Sequence, residues 1–257
     1  MRRAFLEKEA GEWAYDFVFT SKQAAIDLGY DVVACDTVRG FDFNYPDINE
    51  DIAIGSVEFV EMFFEACDIE TPEYLGYPES LLNSWSAMGR KVVECKVSDL
   101  VDHEYPYFVK PSRNVKQFTG DVIENDDQMK IFRDYYDVTD DTELYMSETV
   151  EFVSEYRCFV HNGELKGIQY YQGDYTVFPQ MAAINYMLDT YQHDGGTNPL
   201  AYTLDVGVLD SSITVLVELN DMWAIGAYGF DPEDYVRMTI SRFRQIGFAN
   251  TKEIENE

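Results

Sequence analysis

The run EYRCFVHNGELKGIQYY, residues 155–171, leaves little choice of local structure. Asn162-Gly163 is the strongest two-residue signal for a tight hairpin, because a type I′ turn needs positive φ at both central positions, and both flanks have strand character. The run therefore predicts two antiparallel strands, with Arg157 inside the first. A second pair of strand-like runs lies in LDVGVLDSSITVLVELNDMWAIGAYG, residues 204–229, around a Ser-Ser turn. It sets Asp205, Glu218 and Asn220 inside or at the ends of apolar strands, where ionised and amide groups are costly to bury without partners. In VELND the two-residue period of a strand puts Glu218 and Asn220 on one face, and the preceding strand of the hairpin can bring Asp205 beside them. Periodicity alone also allows Asp205 and Glu218 to sit on a solvated sheet face.

Around these strands the sequence divides into two patterns. In the first 95 or so residues, DVVAC, IAIGS and KVVECK read as short strands between the helical spacings of SKQAAIDLG, SVEFVEMFFEAC and PESLLNSWSAMG. Ser21, Ser56 and Ser80 are available as caps and Gly29 and Gly89 as stops. Alternating strands and helices predict a small parallel α/β unit over residues 1–99. It has no GxGxxG to bind a dinucleotide. From residue 100 to 257 the pattern is α+β and mostly antiparallel: YFVK and FTGDVI as strands, DDQMKIFRDYY as a helix, ELYMSE as a strand, then the hairpin. FPQMAAINYMLDTYQ is a helix, QHDGGTNP (with Gly195 and Gly196) a loop that closes over an acceptor or simply connects, and DPEDYVRMTISRFRQIG the last helix.

Composition narrows the function classes. The chain of 257 residues has 46% hydrophobic and 15% aromatic residues, enough to fold into a cored protein. No run of about 18 apolar residues predicts a membrane helix, and MRRAFLEKEAGEW lacks the apolar stretch of a secretory signal; the expectation is a soluble, cytoplasmic protein. Cys35, Cys67, Cys95 and Cys158 form no CxxC pair, so they read as buried apolar residues in a reducing compartment. His103, His161 and His193 are scattered. The net charge is −29, which disfavours general binding to nucleic acid and is consistent with a solvated acidic surface, or with a mimic of nucleic acid that occupies a basic partner.

With 19 basic residues against 48 acidic ones, the place of each cation is informative. Lys110 ends an apolar strand, Lys116 precedes a Thr-Gly turn, and Arg157 lies in a strand. Together with Asp205, Glu218 and Asn220 they suggest cations for phosphate oxygens and oxygen ligands for a metal such as Mg²⁺.

The ordered series YFVKP, KQFTG, SETVEFVSEYRCFVHNGEL, LDVGV and VELNDMWAIGAYG resembles the ATP-grasp superfamily, in particular an R2K-type clade found in bacteria and their phages, known for two arginines and a lysine around the nucleotide. The resemblance spans roughly residues 100 to 245; AIGS and YPESLLNSW upstream look like the clade's pre-ATP-grasp domain. It implies an ATP-grasp domain over 100–257 with a lid at about 115–147. It further implies that Lys110, Lys116 and Arg157 contact the phosphates of ATP, Lys116 from the mobile lid. Glu148, Thr149 and Val150 would be the hinge whose backbone holds adenine, and Glu155 would bind ribose or orient Arg157. Asp205, Glu218 and Asn220 would hold Mg²⁺, and the role of Asp221 stays open. Lys110 departs from the arginine often found at its place, and a lysine lacks the planar fork.

The implied reaction is activation of a carboxylate by ATP as an acylphosphate, then displacement by an amine on a small molecule or peptide. Two other readings carry weight: an acidic binding protein, such as a phage-encoded inhibitor that keeps the fold, and a nucleic-acid end ligase. The intact cation and metal set favours the enzyme over the binder. The net charge weighs against the end ligase, for which only Arg237, Arg242 and Arg244 in RMTISRFR offer a basic face.

Overall fold

The computed structural model describes residues 1–113, 118, 120–194 and 198–254. The chain begins with β1 (Arg3–Glu9) and β2 (Glu12–Trp13), then α1 (Asp16–Asp27), β3 (Asp31–Asp36), β4 (Ile52–Ile54) and α2 (Val57–Ala66). β1 runs parallel to β3 on one side and to β4 on the other, with β2 antiparallel at its end. It is the centre of this sheet although only Ala4, Phe5 and Leu6 mark it as apolar; charges crowd both flanks, so the sequence pattern registers the outer strands and misses it. Ser56 caps α2, its hydroxyl accepting from Phe59 N at 3.1 Å. Ser21, by contrast, lies buried in the middle of α1.

The stretch expected as one helix after residue 78 forms two single turns, α3 (Glu79–Leu82) and α4 (Trp85–Met88). Ser84, rather than Ser80, caps the second, which Gly89 ends in the left-handed conformation at φ 59°. Next, β5 (Val92–Lys96), β6 (Tyr107–Pro111), β7 (Asp121–Ile123), α5 (Asp126–Tyr136) and β8 (Glu143–Glu148) build an antiparallel sheet in the order β5-β8-β6-β7. The strand KVVECK thus pairs with β8 instead of joining the parallel sheet: its β-branched residues identify a strand but not its partner. Phe118, Phe132 and Val138 pack beneath this sheet in a core of its own.

The third sheet holds β9 (Phe152–His161), β10 (Glu164–Gly173), β11 (Ala201–Leu209) and β12 (Thr214–Asp221) in the order β10-β9-β11-β12, antiparallel throughout, with α6 (Met181–Gln192) between β10 and β11 and α7 (Pro232–Ile254) at the end. Asn162 and Gly163 both adopt positive φ, as the type I′ turn requires. One face of this sheet presents Tyr156, Cys158, Leu204 and Val206 to α6. Its other face contributes Phe159 and Ala201, with Met222 just past β12, to a core shared with α2, α7 and the parallel sheet, where Phe63, Phe64 and Phe243 meet. Parts of all three units meet around one cavity, lined by Val57 of α2, by Lys110 of β6 and by Glu218 of β12, the last strand of the central sheet. Among the described residues, no helix is long and apolar enough to cross a membrane.

Candidate functional site

The core-facing side of the central sheet carries a row of polar residues across three strands. Arg157 on β9 faces Asp205 on β11, and Asp205 faces Glu218 on β12; Asn220 lies one step along, opposite Thr203. The row arises because a strand returns to the same face every second residue. The register slips between Asp205 and Val206, leaving Val217 without a direct partner, and such a bulge re-aims the side chains beside it. Arg157 clasps Asp205 in a bidentate pair, Nε to Oδ1 at 2.8 Å and Nη2 to Oδ2 at 2.6 Å, with the two side chains 7% and 2% exposed. Asn220 Nδ2 bridges the two acids, 3.2 Å from Asp205 Oδ2 and 3.0 Å from Glu218 Oε1. The three residues expected to hold a metal are thus brought together, and the awkward polar positions of β11 and β12 have partners.

Lys110 enters from the second sheet, near the end of β6. Its Nζ lies 3.1 Å from Glu218 Oε2 and 4.1 Å from the centre of the Tyr77 ring. Tyr74 donates to the same Glu218 oxygen at 2.9 Å. Two cations and two carboxylates therefore neutralise one another in pairs. Burial pushes Asp205 up to about 6 against the pull of Arg157, with Glu218 and Glu155 adding to the rise. Burial also works to raise Glu218, but Lys110, Asn220 and Tyr74 outweigh it and hold that carboxyl below its ordinary value. For Lys110, burial opposes the charge, and Tyr77, Glu218 and Tyr74 overcome it to keep the ammonium above its usual range.

A cavity of about 440 Å³ opens on this cluster, lined by Lys110, Glu218 and Asn220 together with Tyr74, Arg113 and Phe118. A second, of about 800 Å³, lies on the side of Arg157, between the starts of α1 and α2 and the segment from Ala224 to Pro232. Val57 and Ala224 line both, so the two spaces adjoin. Each is within the size usual for small-molecule sites. Arg157 meets the second cavity through Gly226, whose carbonyl accepts from Nη1 at 3.0 Å, and Tyr228, whose ring centre is 4.9 Å from the guanidinium.

The other expected site residues are placed less directly. Glu148 ends β8, and residues 149–151 carry the chain from the second sheet to the central one. Glu148 Oε2 accepts from Lys91 N at 3.0 Å, which ties this crossing to β5; Glu148, Thr149 and Val150 do not line the 440 Å³ cavity. Glu155 accepts from the Tyr171 hydroxyl at 2.8 Å. Tyr171 in turn stacks on Tyr228, and both rings face Arg157. Lys116 and Thr119, like Gly195 and Gly196, lie outside the described residues. Asp221 is bonded by Arg242 through Nε and Nη2, at 2.8 and 2.6 Å, fixing α7 to the end of β12.

Several participants escaped the sequence pattern. Tyr74, Tyr77, Tyr171 and Tyr228 each stand among 19 tyrosines, with nothing in spacing to single them out. Arg113 could have been noticed, since it follows Pro111 in a chain short of cations. Arg90 could have been noticed for the same reason. It is 5% exposed, and donates to the carbonyls of Met88 and Leu216 and to the Tyr77 hydroxyl.

The donor set can be tested against a metal. The two carboxylates are hard ligands suited to magnesium, which is usually held by one or two carboxylates while phosphate and water complete its shell; Asn220 turns its Nδ2 to both acids here and would offer its oxygen only with the amide reversed. Among the described residues no group of three or more His, Cys, Asp or Glu could hold a metal by itself. The residues thus fit an ion that arrives with phosphate better than one caged by protein alone.

Comparison with known proteins identifies the fold and the family. The family model for the ATP-grasp domain, R2K clade family 2, matches residues 88–238. No curated protein matches the sequence. Among solved structures, the chain is similar to D-alanine–D-alanine ligase from Bacillus anthracis (TM-score 0.56, 13% identity, 97% of this chain and 100% of that one). It is similar also to a RimK domain ATP-grasp protein from Sphaerobacter thermophilus (0.53, 14%, 95% and 98%). A third is N5-carboxyaminoimidazole synthetase from Staphylococcus aureus complexed with ADP (0.55, 11%, 94% and 77%). With more than half of its length matched by one family model, the chain belongs to the R2K clade of the ATP-grasp superfamily.

Proposed function

We propose that this protein is an ATP- and magnesium-dependent ligase that joins a carboxylate to an amine. The observation that supports this best is the Arg157–Asp205–Glu218 row with Lys110 above it, set where two cavities adjoin. In this reading the nucleotide phosphates lie in the smaller cavity against Lys110, and the second substrate occupies the larger one beside Arg157. Asp205, Glu218 and Asn220 would hold the magnesium, which supplies charge neutralisation at the phosphates when bound. The carboxylate oxygen attacks the γ-phosphorus and ADP leaves. The amine nitrogen then attacks the acyl carbon, inorganic phosphate departs, and the nitrogen loses its proton. Positioning and electrostatics carry such a reaction, with no protein nucleophile.

Two neighbours in structure are named as ligase and synthetase, and one of them is complexed with ADP; these names support a nucleotide-dependent ligase. The end-ligase alternative finds less support. Arg237 pairs with Glu233, Arg242 with Asp221, and Arg244 bonds the Tyr30 hydroxyl, so the basic helix spends its cations within the protein.

The test begins with thermal unfolding in ATP and magnesium. Linkage stabilises the native state by about 2.7 kcal/mol at a hundred times Kd, and absence of any shift overturns the proposal. Product analysis with a pool of amino acids and peptides then separates ADP release, which the acylphosphate route requires, from AMP release.

A further inference from the structure

The segment from Thr71 to Tyr77, which joins the parallel unit to α3, is bound along the site. Leu219 N donates to Gly76 O at 3.1 Å, an isolated antiparallel bridge on the free edge of β12. Gly76 adopts φ +54°, and a Cβ there would come within 3.2 Å of the Tyr74 ring, so this position favours glycine on both counts. The bridge brings Tyr74 and Tyr77 around the Lys110 ammonium, whose distances to the ring centres are 5.9 and 4.1 Å. The Tyr74 hydroxyl donates to Glu218 Oε2 at 2.9 Å and lies 3.5 Å from Lys110 Nζ. Lys110 holds that same oxygen at 3.1 Å, while Oε1 is taken by Asn220.

We propose that Tyr74 is a positioning residue for the metal-binding side of the nucleotide site, keeping Glu218 oriented when Lys110 transfers from the carboxylate to the nucleotide. This rests on the proposed function, in which one lysine cannot neutralise Glu218 and a phosphate equally well. Once Lys110 turns away, Oε2 keeps one donor from the protein, the Tyr74 hydroxyl, and the carboxylate stays in place beside Asp205. Hydrogen-bond partners of this kind orient metal ligands, and losing one typically weakens metal affinity by about 10- to 100-fold. Because Tyr74 sits on the connection from the parallel unit, the same hydroxyl ties the position of that unit to the metal ligand.

Calorimetric titration of the full chain with ATP, once in excess magnesium and once in chelator, tests this. Tyr74→Phe is expected to reduce the affinity gained from magnesium by about 10- to 100-fold while leaving metal-free ATP binding near that of the unaltered protein. Tyr186→Phe removes a hydroxyl that bonds Ser84 away from the site, and is expected to keep the full magnesium gain. In a Glu218→Gln background, Tyr74→Phe should have no further effect on that gain. If the unaltered protein gains from magnesium and Tyr74→Phe gains equally, the role assigned to Tyr74 is wrong and the ligase reading stands. If the unaltered protein binds no ATP under either condition, the ligase reading falls, and the role of Tyr74 with it.

Discussion

Removing Asp205 should destabilise the ligand-free protein far more than removing Asp205 and Arg157 together. Arg157 and Asp205 are 7% and 2% exposed and joined by bonds of 2.8 and 2.6 Å. Asp205→Ala leaves the guanidinium with the Gly226 carbonyl at 3.0 Å and the Tyr171 and Tyr228 rings at 5.8 and 4.9 Å, none of which carries a balancing charge. Breaking a buried pair on one side costs about 3–5 kcal/mol. The rings and the carbonyl argue for the lower end, since they continue to solvate the cation. At about 2–4 °C per kcal/mol for a chain of this size, the melting temperature falls by roughly 10 °C. Arg157→Met with Asp205→Leu removes both desolvation penalties and replaces them with apolar contacts beside Phe159 and Phe230, so this double variant should lie within about 2 kcal/mol of the original. Thermal and urea unfolding without ligand measure both. A double variant less stable than Asp205→Ala would refute the reasoning, for it would mean that the pair contributes net stability rather than being retained for a phosphate and a metal.

Three further outcomes are expected. Lys110→Met should weaken ATP binding with and without magnesium by at least about tenfold, the scale of one charged hydrogen bond, whereas Glu218→Gln should remove only the magnesium-dependent part; calorimetry in the presence and absence of chelator separates them. Burial pushes the free thiols of Cys67 and Cys95 up to about 12 and about 11; raised in this direction they stay neutral at pH 8, so native alkylation by iodoacetamide should be slow and should accelerate sharply in denaturant. A net charge of −29 repels anionic nucleotide over a range that shrinks from about 30 Å at 0.01 M salt to about 8 Å at 0.15 M, so the stopped-flow association rate of magnesium-ATP should rise with added salt, and a fall would show that Lys110, Arg113 and Arg157 govern the local field instead.

What could be read from sequence, and what could not, follows from how each residue is carried. Asp205, Glu218 and Asn220 sit on β11 and β12, consecutive strands joined by a recognisable turn, whereas Arg157 reaches Asp205 only through the pairing of β9 with β11, 48 positions apart in the chain. Their shared face follows from a period of two, and the hairpin at Asn162-Gly163 fixes the register of β9 against β10. β5 shows the opposite case. Its residues call for a strand, but its partner β8 lies about fifty residues away, and burial on either sheet would suit Val92 and Val93 equally. β1 was hidden because Arg3, Glu7, Lys8 and Glu9 occupy its ends and leave only Ala4, Phe5 and Leu6 as an apolar run, too few for a periodic signal.

The tyrosines were out of reach for a related reason. Tyr74 bonds Glu218 across 144 positions of chain, from a segment with no regular structure except the single bridge through Gly76. A side chain brought to a site by a linker leaves no period behind, and its type carries no signal in a chain with so many aromatic residues. The cations are different because they are scarce. A buried lysine or arginine needs partners; for Arg90 these are two carbonyls and a hydroxyl, but Lys110 and Arg157 each meet an acid, and finding the two acids on one sheet face locates the cleft. Here charge balance does for the site what hydrophobic periodicity does for the fold: the scarce residue determines the position of its partner, and the partner's strand determines the pocket.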